Sequence, residues 1–91
     1  MKAWQYIQKG WCQGSEARTK TGKKCSTHSP NAAAWCLAGA LHKIYSADER
    51  GVIDDRIYEL IDTNIIDWND DPKRTKAEVI ALLKKAERGP L

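Results

Sequence analysis

The stretch PNAAAWCLAGALHKIY, Pro30 to Tyr45, decides how the rest of the chain is read. Small residues run into Trp35, Cys36 and Gly39 and then into Leu41, Ile44 and Tyr45, the pattern of a buried helix whose neighbours come close. Ser29-Pro30 supplies a start, because the hydroxyl can accept a first-turn amide and proline is tolerated where no amide bond is needed. Along the predicted helix Ala33, Leu37, Ala40, Leu41 and Ile44 form one face, which Trp35, Cys36 and Gly39 widen. Glycine in mid-helix costs about 1 kcal/mol against alanine, so Gly39 is expected to lie against another backbone or a ring.

Upstream, Ser15 to Ser29 is polar and basic, with Arg18, Lys20, Lys23 and Lys24 around a Thr21-Gly22 turn. It reads as an irregular arm or a short β-hairpin. Before it, GWCQG (Gly10–Gly14) suits a tight turn, and the spacing of Ala3, Trp4 and Ile7 predicts a first helix over Lys2–Lys9. Downstream, Ser46 and Glu49 form a capping box opening a helix with Ile53, Ile57, Leu60 and Ile61 as its stripe and Asp54, Asp55, Glu59 and Asp62 on a solvated face. Ile65, Ile66 and Trp68 read as a short apolar plug. Thr75 and Glu78 form a second capping box before Val79, Ile80, Leu83 and Ala86, and Gly89-Pro90 stops that helix. The expected fold is mainly α: one domain over 1–91, a compact bundle of about four helices with the basic arm or hairpin between the first two.

Ninety-one residues support one modest core. The net charge of +3 is unevenly placed: seven basic residues and one acid up to Tyr45 leave +6, and eight against eleven from Ser46 onward leave −3. Such a two-ended molecule can be oriented toward a partner or a copy of itself. No apolar run approaches the roughly 20 residues that span a bilayer, and no signal-peptide core follows Met1-Lys2. A cytoplasmic protein without a membrane role is expected, and its three cysteines are expected as reduced thiols.

Several constellations invite a chemical reading. Cys12, Cys25, His28 and Cys36 supply the donor types of a zinc site, yet the paired knuckles of a zinc finger are missing, and Cys12 and Cys36 each follow a tryptophan as small buried side chains do. Cys36 as a nucleophile, with His28 or His42 as base, would sit about two turns into an apolar helix, where burial raises a thiol pKa. A cysteine- or Asp-dependent enzyme would need Cys36 and Asp70 around one pocket with Arg18 or Arg74. Asp67, Asn69, Asp71 and Glu78 fall at calcium-loop positions, but the required glycine is Pro72; Asp67, Asn69 and Asp70 read instead as turn residues bonding local amides, with Trp68 beneath. Arg18, Lys20, Lys23, Lys24 and Lys43, with Trp11 or Trp35 for stacking, make the footprint of a nucleic-acid binder.

The segments WCQG (11–14), AR (17–18), AWCLAGAL (34–41), WND (68–70), Pro72, RT (74–75) and EVIALL (78–83) resemble a small bacterial and phage family of unknown function. The resemblance implies no activity. It singles out Gln13, Arg18, Trp35, Cys36, Gly39, Trp68, Asn69, Asp70, Arg74 and Thr75.

The functional expectation is a non-enzymatic interaction module of a phage or bacterium, a modulator or inhibitor of a host protein, working without a cofactor. A protein partner is expected, with nucleic acid and the small enzyme as alternatives. Trp11, Gln13, Arg18, Lys20, Lys23, Lys24, Trp35, Cys36, Trp68, Asn69, Asp70 and Arg74 are the candidate contact or pocket residues.

Overall fold

In the computed structural model, which describes residues 1–91, the first helix, α1 (Ala3–Lys9), buries Ala3 and Ile7 as their spacing predicts. Its opening amides have an unforeseen partner. The buried Glu87 carboxylate accepts from Ala3 N at 2.8 Å and Trp4 N at 3.0 Å, fastening the two ends of the chain together. A carboxylate is favoured at a helix N-terminus, where free amides and the peptide dipoles are positive.

The basic stretch is an ordered hairpin. β1 (Ala17–Arg18) and β2 (Lys24–Cys25) pair antiparallel, with Ala17 opposite Cys25. Arg18 Nη1 closes it on Gly22 O at 2.8 Å, and Gly22 holds the turn at φ 88°, a backbone region glycine reaches without strain. A third strand, β3 (Ala34–Trp35), lies on the other side of β1, giving the order β2-β1-β3.

That third strand corrects the reading of Pro30–Tyr45 as one helix. Ser29-Pro30 begins a turn, with Ala32 N on Ser29 O at 3.1 Å, and the helix α2 spans only Leu37–Ile44. Alanine favours helix, but Ala33 N, Trp35 N and Cys36 N are bonded to the carbonyls of Arg18, Gly10 and Glu16. Winding residues 33–36 into a helix would break all three bonds, so the tertiary pairing overrides local propensity. Cys36 is therefore the N-cap of α2 and not a mid-helix residue.

Three helices complete the fold: α3 (Ala47–Ile61), α4 (Ile65–Asp70) and α5 (Lys76–Ala86). Ser46–Glu49 and Thr75–Glu78 form the predicted capping boxes of α3 and α5. The chain reverses between α3 and α4 at Asp62, with φ 53°. The apolar plug is itself helical, because Asn64 Oδ1 accepts from Ile66 N and Asp67 N and caps it. The fold is mainly α, with the short hairpin expected as one alternative to an irregular arm, but with five helices rather than about four and a third strand that makes the hairpin a small antiparallel sheet. The core joins Ala3 and Ile7 of α1, Ala17, Trp35, Leu37, Ala40 and Leu41, Ile53 and Ile57 of α3, and Val79, Leu82, Leu83 and Ala86 of α5. Each fully buried Leu or Ile contributes about 1.5–3 kcal/mol. No helix is long and apolar enough to cross a membrane.

Candidate functional site

Residues 10–12 run parallel to residues 35–37, and the pairing is interrupted in an instructive place. Trp35 N donates to Gly10 O at 3.0 Å and Cys12 N to Trp35 O at 3.2 Å. In a parallel ladder the next rung would take Leu37 N to Cys12 O. Instead the Asn69 amide stands between them: Oδ1 accepts from Leu37 N at 3.0 Å and Nδ2 donates to Cys12 O at 3.2 Å. The side chain replaces a peptide group in the ladder, and these two backbone partners fix which way the amide points. Oδ1 also accepts from Trp11 Nε1 at 2.8 Å, and the second amide hydrogen goes to Asp70 Oδ1 at 2.9 Å. With 1% exposure and every donor and acceptor engaged, Asn69 is a clasp.

The clasp has a second layer. Gln13 Nε2 donates to Asn69 O and Asp71 O, both at 2.9 Å, and Gly14 N donates to Asp70 Oδ1 at 3.1 Å. The WCQG and WND segments are two halves of one fastening. Asn69 and Asp70 therefore bond groups 32 to 58 residues away rather than local amides as their turn-like sequence suggests, and Asp67 lies exposed on α4.

Beside the clasp is a cavity of about 350 Å³ between α2, the Gly14–Glu16 turn and α4. The N-cap Cys36, Gly39 and His42 of α2, Glu16, and Ile66 and Asp70 of α4 stand in its walls. Gly39 lets the turn come in: a Cβ there would lie 1.9 Å from Glu16 O. Across Ala38 and His42 a smaller recess of about 220 Å³ opens, with Arg50, Asp54 and Ile65 in its wall. Burial raises the Asp54 carboxyl pKa, partly offset by Arg50.

The chemistry available at Cys36 follows from its contacts. Its sulfur accepts from Gly39 N at 3.3 Å and bonds neither His42 nor Asp70. Burial pushes the thiol pKa up, and the charges of Asp70 and Glu16 add to that, against the pull of the Gly39 and Ala38 amides. The thiol is protonated at neutral pH. Cys36 and Asp70 do share a cavity, as an enzymatic arrangement requires, but neither Arg18 nor Arg74 lines it. No group of three or more His, Cys, Asp or Glu side chains is placed to hold a metal ion, so Cys12, Cys25, His28 and Cys36 do not assemble into one.

The remaining candidates scatter. Trp35 is buried, with Nε1 on Thr27 O at 3.1 Å and Tyr6 edge-on at 5.1 Å. Trp68 carries the Arg74 guanidinium 3.7 Å above its ring, on a different groove beside Leu60 and Ala81. Lys20, Lys23 and Lys24 project from the hairpin, away from the cavity. Sequence reasoning missed Glu16 and Ile66 as cavity residues. A signal for Glu16 existed, since it is the only acid among the first forty-five residues. Ile66 carried none, because only the packing of α4 leaves it 54% exposed.

Fold and site together define a small, mainly helical domain on a three-stranded antiparallel sheet, with a cavity of about 350 Å³ beside an asparagine clasp. The sequence signature of a family of unknown function, DUF6197, matches residues 2–88, and the chain belongs to that family. No characterised protein and no solved structure matches it.

Proposed function

We propose that the chain is a non-enzymatic protein-interaction module that docks a partner over the cavity and the exposed Ile66 at its rim. In the bacterial or phage setting implied by the resemblance, the partner would be a host protein whose activity is modulated. The observation carrying this reading is Ile66, an isoleucine 54% exposed beside a concavity large enough to admit a side chain. Cavities that bind small groups run from about 300 to 1,000 Å³. Cys36 supports binding over catalysis, because it is a protonated cap with no hydrogen-bonded base.

The test is capture from lysate at moderate salt by the immobilised chain. A protein held by the wild type, lost by Ile66→Glu and retained by the Lys23→Glu/Lys24→Glu variant supports the reading. Capture of no protein, or capture indifferent to Ile66→Glu, refutes it.

Nucleic-acid binding is favoured by one specific observation: Lys20, Lys23 and Lys24 are exposed and form no ion pair in the chain. That reading requires duplex affinity that falls steeply with salt and on removal of Lys23 and Lys24.

A further inference from the structure

The rung that Asn69 interrupts has a cysteine on either side of it. Trp35 N on Gly10 O and Cys12 N on Trp35 O set Trp11 and Trp35 side by side in a parallel bridge. One residue further along both strands Cys12 stands beside Cys36, which is still extended at φ −80° and ψ 173°. Side chains alternate across an extended chain, and register neighbours point to the same face. Trp11 and Trp35 both pack on the core, so Cys12 and Cys36 turn together to the opposite face; both are buried, and neither belongs to the core cluster. The charge of Cys36 is felt at Cys12, as between adjacent thiols. The third thiol is on the wrong side. Cys25 and Trp35 are both register partners of Ala17, which places Cys25 on the tryptophan face and against the core.

The spacing suits a covalent bond. Neighbouring parallel strands lie about 4.8 Å apart, and disulfides span Cα separations of about 4.4–6.8 Å, most often about 5.5–6 Å. The Asn69 amide between Cys12 O and Leu37 N opens this rung beyond a direct hydrogen bond, toward those commoner separations. In the reduced chain the two sulfurs are engaged apart: Cys12 donates to Ser15 O at 3.6 Å, and Cys36 accepts from Gly39 N at 3.3 Å. Rotation about each Cα–Cβ bond brings them together and takes Cys36 off the cap of α2. Access is unequal, because Cys36 lines the cavity and Cys12 lies under the Ser15 turn without lining it.

We infer that Cys12 and Cys36 are a redox couple, a dithiol that hydrogen peroxide oxidises to a disulfide joining the WCQG turn to the start of α2. Cys36 reacts first, from the cavity. Its sulfur attacks one peroxide oxygen, the O–O bond breaks, and the leaving hydroxide takes up the thiol proton as water, which leaves Cys36 as a sulfenic acid. The Cys12 sulfur then attacks the Cys36 sulfur: the S–S bond forms, the S–O bond breaks, and the hydroxide leaves with the Cys12 proton as a second water. The two thiols give up two electrons and the peroxide receives them. A thiol reductant reverses the bond by exchange. The site is independent of the protein-interaction reading.

The test treats the folded full chain with hydrogen peroxide near neutral pH, alkylates the remaining thiols and digests with trypsin without reduction. Cleavage after Lys9, Arg18, Lys24 and Lys43 leaves Cys12 on the peptide 10–18 and both Cys25 and Cys36 on the peptide 25–43. These two peptides are expected to be joined, with fragmentation placing the bond at Cys36 and the alkyl group on Cys25, and Cys25→Ser is expected to keep the link. Cys12→Ser is expected to stop at the Cys36 sulfenic acid, trapped by dimedone, and Cys36→Ser to leave Cys12 a thiol. A link through Cys25, oxidation of Cys36 to sulfinic acid with Cys12 still reduced in the wild type, or a bond that forms only in urea overturns the inference. Amide exchange at Gly39 is expected to be about tenfold faster in the oxidised chain as its acceptor is withdrawn; exchange as slow as in the reduced chain overturns the release of the cap.

Discussion

Asn69 Oδ1 accepts the amide hydrogen of Leu37 at 3.0 Å, so the first residue of α2 is bonded to a side chain of α4 where the strand beside it would otherwise supply the acceptor. This one amide ties the start of α2 to the WCQG turn, and it stands in the wall of the cavity. Replacing Asn69 with alanine strands Leu37 N and Cys12 O, both buried, and frees Trp11 Nε1. Each unsatisfied buried group costs about 1–3 kcal/mol. Asn69→Ala is expected to cost at least about 3 kcal/mol, a large part of a small domain's stability, and Asn69→Asp to be comparably damaging because a second carboxylate would face Asp70. A urea midpoint for Asn69→Ala equal to that of wild type would show that the clasp is dispensable.

Gly39 meets the turn from the other side. A Cβ at this position would fall 1.9 Å from Glu16 O and 2.8 Å from Glu16 C, and both are backbone atoms that cannot swing away. Gly39→Ala already forces the Glu16 turn and α2 apart, and Gly39→Leu drives a whole side chain into the gap. Overpacking of this kind costs about 1–3 kcal/mol or more, so a large fall in thermal midpoint is expected for both, greater for leucine. A variant melting with the wild type would mean that the turn and α2 are not in contact.

The join between the chain ends rests on Glu87. Its two oxygens accept from Ala3 N and Trp4 N, and the Tyr45 hydroxyl also donates to it. Glu87→Ala removes a cap and leaves Ala3 N unpaired, an expected loss of about 2 kcal/mol or more. Glu87→Gln keeps acceptor capacity and should cost less. Hydrogen exchange in α1 faster than in wild type at equal denaturant would locate the effect; unchanged exchange would contradict it.

What was legible in the sequence followed from how local each determinant is. The capping boxes at Ser46 and Thr75 and the hairpin turn at Gly22 depend on neighbours within a turn or two, and they appear; of the two stripes Ile53, Ile57, Val79, Leu83 and Ala86 are buried, whereas Leu60 is 50% exposed and Ile61 and Ile80 are half-buried, because the ends of the stripes run past the helices that cover them. The Pro30–Tyr45 stretch misled because its alanines carry helix propensity while its pairing partners, Gly10, Glu16 and Arg18, lie well upstream in sequence. Gly39 was legible as a close approach, but not that Glu16 is what approaches. Asn69 hid for the same reason: Asn-Asp-Asp-Pro has the composition of a turn, and only the fold reveals that its amide fits a gap between Cys12 and Leu37.

The thiols give a signature in alkali. Burial, with the Cys36 charge adding to it, holds the Cys12 pKa up from an ordinary 9.0 to about 11, and burial with the Glu87 carboxylate raises that of Tyr45. Both groups are neutral when protonated, and the unfolded chain releases their protons first as pH rises. Their stabilisation is therefore complete below the unfolded pKa values and declines as pH climbs toward the folded ones. The thermal midpoint is expected to fall between about pH 9 and pH 11, and Cys12→Ser to flatten the early part of that fall, with Tyr45→Phe flattening the later part. Near neutral pH an aromatic disulfide reagent should label Cys25, the most exposed of the three, well before Cys12 or Cys36, whose burial keeps them protonated and covered. Labelling of Cys36 as fast as Cys25 would mean an ionised, accessible thiol at the cavity wall, and would put the enzymatic alternative ahead of the interaction reading.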